Sequence, residues 1–154
     1  MPGIFRKRRT ATAAVAVTML GAGLVLASAL AQAQSPRTVW SGIYTAAQVQ
    51  RGNEAMMGPG QCRSCHGETL QGGPGVPSVV GGEFQFKWDG KSIGELFDYI
   101  RTNMPPGQGG TLSDQKYIDM LAVLLSESGY PAGTSQELPP DVAALAGIQI
   151  TASK

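Results

Sequence analysis

Histidine and cysteine are almost missing from this chain, which has one histidine and two cysteines in 154 residues. A single histidine excludes bis-histidine ligation of a metal within the chain. It also excludes a zinc site built from two Cys/His pairs, because zinc wants four such ligands and no second pair exists. No second histidine is present to serve as a distal acid–base group, which speaks against a peroxidase. No other acid–base pair or activated nucleophile stands in a recognisable setting. Charge is also sparse, at 15% of residues. Four of the 12 basic residues are Arg6, Lys7, Arg8 and Arg9, and all 11 acidic residues lie after them. Beyond that opening the chain is weakly acidic, so nucleic acid is excluded as a partner.

The scarce residues fall together. Cys62-Arg63-Ser64-Cys65-His66 reads C-x-x-C-H, the pattern for covalent haem attachment. Two thiols at this spacing can each bond one vinyl-derived carbon of one haem. The imidazole that follows is then held under the iron as its proximal ligand. Three blander readings compete. A thioredoxin-like redox pair needs a βαβ setting, and none is visible. Half a zinc site lacks its other half. A disulfide across so short a loop closes little chain and stabilises little. The expected cofactor is one haem c, bound through Cys62 and Cys65 with His66 on the iron.

The N-terminus supplies the compartment. A basic start, an apolar run from about Ala13 to Leu30 and the small-residue ending Ala31-Gln32-Ala33 make a secretory signal peptide over residues 1–33. An uncleaved membrane anchor is the minority alternative, because the run is borderline for spanning. Arg8-Arg9 hints at twin-arginine export. The hydrophobic residues that usually follow such a pair are missing, which favours the general secretory route. The expected location is the periplasm.

Residues 34–154 are enough for one small domain. Residues 34–44 read as an extended lead-in. Thr45 and Gln48 form a capping-box pattern opening a helix to about Met57, and Gly58-Pro59-Gly60 stops it. Residues 67–82 are rich in Gly and Pro and read as loop. Ser92 and Glu95 form a second capping box, before a helix to about Thr102. Ser113 caps a third helix that Gly129 ends. Its Tyr117, Leu121, Leu124 and Leu125 make one apolar stripe. No segment alternates like a strand, so the fold class is all-α, with the main domain over residues 45–129. Residues 130–154 carry Pro131, Pro139 and Pro140 and read as a surface tail, with a helical turn at Asp141 to Leu145.

A haem iron has a second axial position. Met56 and Met57 lie too close to the attachment motif to reach the opposite haem face easily. Met120 sits on the third helix, where methionine usually fills core. Met104 stands in the proline-braced segment Met104-Pro105-Pro106-Gly107 directly after a helix, and it is the expected thioether ligand. His/Met ligation raises the potential and suits an electron carrier. Without it, the sixth position would be open, as in a gas-binding haem protein.

From about Val39 to Gly129 the chain resembles class I cytochromes c. The likeness is carried by Arg51-Gly52, Cys62 to Gly67, Pro77-x-x-x-Gly81, Met104-Pro105 and a last helix with Tyr117. Phe84-x-Phe86-x-Trp88 and Gly129-Tyr130-Pro131-Ala132-Gly133 are similar to the monohaem periplasmic members that often serve quinoprotein dehydrogenases. Met56 departs from the family, which commonly has an aromatic there. The resemblance implies three main helices wrapped around one haem. It also implies that the Pro77 carbonyl accepts a hydrogen bond from His66 Nδ1–H, a bond that orients the ligand ring. Gly52 is expected to let the first helix cross the last one near Tyr117 and Leu121. Trp88 is expected at the haem edge, where its N–H can reach a propionate. The implied function is periplasmic electron transfer, without enzymatic activity of its own. Its donor would be a periplasmic quinoprotein dehydrogenase and its acceptor a terminal oxidase. The alternative is a haem subunit fixed in an oxidoreductase complex.

Overall fold

The computed structural model describes residues 37–154, so the leader and the first lead-in residues lie outside the described part. Helices dominate. They are α1 (Ala46–Met57), α2 (Cys62–His66), α3 (Gly81–Trp88), α4 (Ile93–Asn103), α5 (Asp114–Glu127) and α6 (Val142–Leu145). A 3-10 turn at Val39–Ser41 precedes them. Two short strands, β1 (Arg37–Thr38) and β2 (Ile148–Gln149), pair in parallel. No helix among the described residues is long and apolar enough to cross a membrane.

The three expected helices are present as α1, α4 and α5. Three shorter ones join them, so the expected three-helix architecture is corrected to six described helices with a minor parallel strand pair. The Phe84–Trp88 stretch had no clear period because α3 is only 8 residues long. The strand pair escaped notice because two residues per strand are too few for alternation to show.

Helix starts follow the sequence signals. Ser92 Oγ accepts from Glu95 N–H while the Glu95 carboxylate accepts from Ser92 N–H, a complete capping box on α4. Those bonds hold the Glu95 carboxyl below the usual carboxylate range. Ser113 caps α5, and Gly129 follows its end at φ +86°. At α1 only half the expected box forms. Thr45 accepts from Gln48 N–H, but the Gln48 amide is used elsewhere. Fully buried, it donates from Nε2 to Leu138 O and accepts from Leu138 N–H, both at 3.0 Å.

The first helix packs on α5 where Gly52 leaves room. A Cβ at position 52 would run into the Asp119 carbonyl and come within 2.6 Å of Val123 Cγ2. The crossing falls at Asp119 and Val123, on either side of Leu121 and just beyond Tyr117, in the stretch where it was expected. Arg51 closes it from outside, with Nε and Nη2 at 3.0 and 3.1 Å from the two oxygens of buried Asp119. Every residue of α5 from Tyr117 to Leu125 is buried, not one stripe alone. This helix is the centre of the fold.

The segment 130–154 follows the surface but is part of the core. Tyr130, Leu138, Leu145, Ile148 and Ile150 are buried, as are Val39, Ile43 and Tyr44 from the lead-in. Tyr44 Oη donates to Tyr130 O, and Trp40 Nε1–H donates to Thr151 O at 3.0 Å. The tail's prolines and small residues hid this role, because its apolar anchors are spaced irregularly. The expected turn is present as α6, with the Asp141 carboxylate accepting from Ala143 and Ala144 N–H.

Candidate functional site: a cavity at the Cys-x-x-Cys-His helix

The helix α2 begins after a sharp turn. Gln61 sits at φ +45°, and Gly60 N–H bonds back to Ala55 O at 2.8 Å. That turn lays Cys62 to His66 along the wall of a cavity of about 560 Å³. Cofactor pockets run from roughly 300 to 1,000 Å³. The lining is mostly apolar and includes Leu70, Val79, Phe84, Leu96, Ile100 and Leu124. Cys62, Cys65, His66, Pro77, Trp88 and Met104 all line it too. Chain segments more than forty residues apart thus converge on one space.

His66 is held by its own following loop. Its Nδ1 lies 3.0 Å from Pro77 O. A carbonyl only accepts, so Nδ1 carries the proton and Nε2 keeps its lone pair for a metal. The expected hydrogen bond is therefore present. The loop is pinned by Gly72 N–H to His66 O at 2.8 Å and by Val79 N–H to Leu70 O at 3.0 Å.

The two thiols are not joined to each other. Cys65 is exposed, and Cys62 is half-buried with Sγ 3.5 Å from Met120 Sδ. Burial pushes the Cys62 thiol up from its ordinary pKa. Reactive redox cysteines need the opposite shift. The thioredoxin-like reading therefore has no support at this site. Arg63, inside the motif, donates to Asn53 Oδ1 on α1 at 2.7 Å.

Met104 caps the end of α4, its N–H bonded to Ile100 O at 2.9 Å. Of the other methionines, Met57 is 73% exposed, while Met56 and Met120 are buried in the wall. Trp88 is buried, with its ring edge-to-face on Tyr99 at 5.3 Å between centroids. Phe84, Phe86 and Tyr99 also line the cavity.

Two lining residues were missed from sequence. Lys87 is the sole Lys or Arg in the lining, its Nζ 4.5 Å from the Tyr99 ring centroid and 3.4 Å from Tyr99 Oη. Recognising α3 would have found it. Tyr117 was read as core, and it is fully buried, but its hydroxyl faces the Met104 segment.

The donor set fits a haem. Among the described residues, no group of three or more His, Cys, Asp or Glu converges as a bare-metal site would need. The lining offers one imidazole, from His66, and the thioethers of Met56, Met104 and Met120, too few nitrogen and oxygen donors to hold a bare ion. Two thiols stand beside the imidazole on the same short helix.

A helical fold with this motif on a cavity wall is consistent with a cytochrome-type domain. Residues 47–122 match the family model for cytochrome c oxidase, cbb3-type, subunit III. That stretch, from α1 through the motif into α5, is similar to the cytochrome-type domain of that oxidase subunit. No curated protein and no solved structure matches the chain. The relation is to an oxidase subunit family, not specifically to freely diffusing monohaem carriers.

Proposed function

We propose that this protein is an exported electron-transfer subunit that holds one haem c inside an oxidase-type complex. When bound, the haem supplies a one-electron iron couple. Cys62 and Cys65 would bond it, and His66 Nε2 and Met104 Sδ would take its axial positions. Pro77 O orients the His66 ring through the Nδ1–H bond. Trp88 Nε1–H would donate to a propionate. An apolar lining and a thioether ligand would both favour the reduced state of a bound haem. The protein itself performs no bond-making chemistry.

The observation that carries this reading is the convergence of Cys62, Cys65, His66 and Met104 on one apolar cavity, with His66 Nδ1 3.0 Å from Pro77 O. The family match favours a fixed oxidase subunit over a diffusible carrier serving a quinoprotein dehydrogenase. Its electrons would then come from, and go to, partners within that complex. The test is affinity purification from membranes of the native host under mild detergent. Co-elution with oxidase activity and other haem-bearing chains is expected. A chain recovered alone in the soluble periplasmic fraction would return the reading to a diffusible carrier.

A further inference from the structure

Met104 stands on a segment with few ties to the rest of the fold. Among the described residues, the backbone bonds of residues 104–111 stay within the segment or reach back into α4. Examples are Gln108 N–H to Pro105 O at 2.8 Å and Gly110 N–H to Arg101 O at 2.7 Å. The turn is tight against that helix, since a Cβ on Gly109 would run into the Thr102 carbonyl. One side chain of α5 reaches across by hydrogen bonding. Tyr117 Oη donates to Met104 O at 2.9 Å and accepts from Gly110 N–H at 3.1 Å. The ring is fully buried, so water offers no substitute. Its helix is locked to α1 by Gly52 and Arg51, and α1 leads into the helix that carries His66.

We infer that Tyr117 is the positioning residue for the sixth ligand, holding the Met104 segment at a fixed distance from the His66 helix. The inference rests on the reading that His66 and Met104 take the axial positions. Met104 binds through sulfur, while Tyr117 grips its carbonyl and the turn behind it. Loss of the hydroxyl leaves the thioether in place chemically but lets its segment lift. An external ligand then competes for the iron in proportion to the fraction of time Met104 is away.

The test uses the full mature haem protein. Imidazole is titrated into the ferric form of the wild type, Tyr117→Phe, Tyr44→Phe and Met104→Ala. The far-red sulfur–iron band and covalent haem content are recorded for each. Tyr44→Phe removes a comparable buried tyrosine bond, to Tyr130 O, away from the cavity. Tyr117→Phe is expected to retain covalent haem and bind imidazole about tenfold more tightly than the wild type, the factor one buried hydrogen bond sets. Tyr44→Phe is expected to match the wild type. Equal imidazole affinity in Tyr117→Phe and the wild type would overturn the inference. Equal tightening in both tyrosine variants would also overturn it, since general loosening would then be the cause. A wild type with no far-red band, binding imidazole as tightly as Met104→Ala, would remove the axial reading and this inference with it.

Discussion

The chain brings His66 to the cavity through its own following loop and Met104 through a side chain of another helix. His66 lies four residues from Cys62, and its ring is fixed by a carbonyl 11 residues on. Every bond that shapes its loop closes a small ring of chain, which costs little entropy. Met104 instead depends on Tyr117, 13 residues away on a helix whose own position is set by α1. A local motif places His66, the proposed proximal ligand, and the assembled fold places Met104, the proposed distal one. The proximal side should therefore fail all at once when its motif is broken. The distal side should fail by degrees.

The largest effect is expected where the motif is cut. Cys62→Ser or Cys65→Ser should reduce covalent haem to a small fraction of wild type, measured by haem staining of denatured protein. Normal attachment in both single variants would break the comparison at its proximal end. Next in size is Met104→Ala, which should keep full covalent haem yet lose the far-red band and lower the reduction potential. Unchanged spectra would show that Met104 is not a ligand.

A substitution behind both sides sharpens the contrast. Gln48→Ala would leave the buried Leu138 N–H and carbonyl unpaired, at a cost of about 2–3 kcal/mol in denaturant unfolding. Because Gln48 lies away from the cavity, the wild-type spectrum should persist in the folded fraction. A spectral change equal to that of Met104→Ala would contradict this separation. Arg51→Met removes the partner of buried Asp119. It should cost about 1–2 kcal/mol, less than a fully enclosed pair because Arg51 is 42% exposed.

The smallest effect belongs to Glu137, whose carboxyl is held below the usual carboxylate range by Arg51 and then by Thr45. Its folded-state pKa is depressed. Its contribution is thus present above the ordinary carboxylate range and disappears as pH falls through the lowered value. Glu137→Gln should cost under about 1 kcal/mol at neutral pH, since both partners are substantially solvated. The difference from wild type should vanish in acid. A gap that widened as pH fell would reverse the sign.

Legibility followed the same division. Cys62 to His66, the caps at Ser92 and Ser113 and the stop at Gly129 are short-range signals, and each is where the sequence placed it. Gly52 was readable as a crossing point, and its contacts lie at Asp119 and Val123. Gln48 looked like a capping residue because the Leu138 backbone it pairs with is 90 residues away. Tyr117 looked like core because its place in the apolar stripe of α5 already accounts for its burial, while its hydroxyl's partner lies in the irregular segment before that helix. The tail's part in the core depends on Tyr130, Leu138, Leu145, Ile148 and Ile150, whose spacing matches no single period. Lys87 was hidden by a helix too short to show one.

The absorption spectrum of the purified, exported protein under reducing and oxidising conditions tests the central claim most directly. The account predicts a coloured product whose haem stays with the chain after denaturation. Its reduced form should show the sharp bands of a six-coordinate c-type centre, and its ferric form a weak far-red sulfur–iron band. A colourless protein with Cys62 and Cys65 as free thiols, or paired with each other, would contradict it.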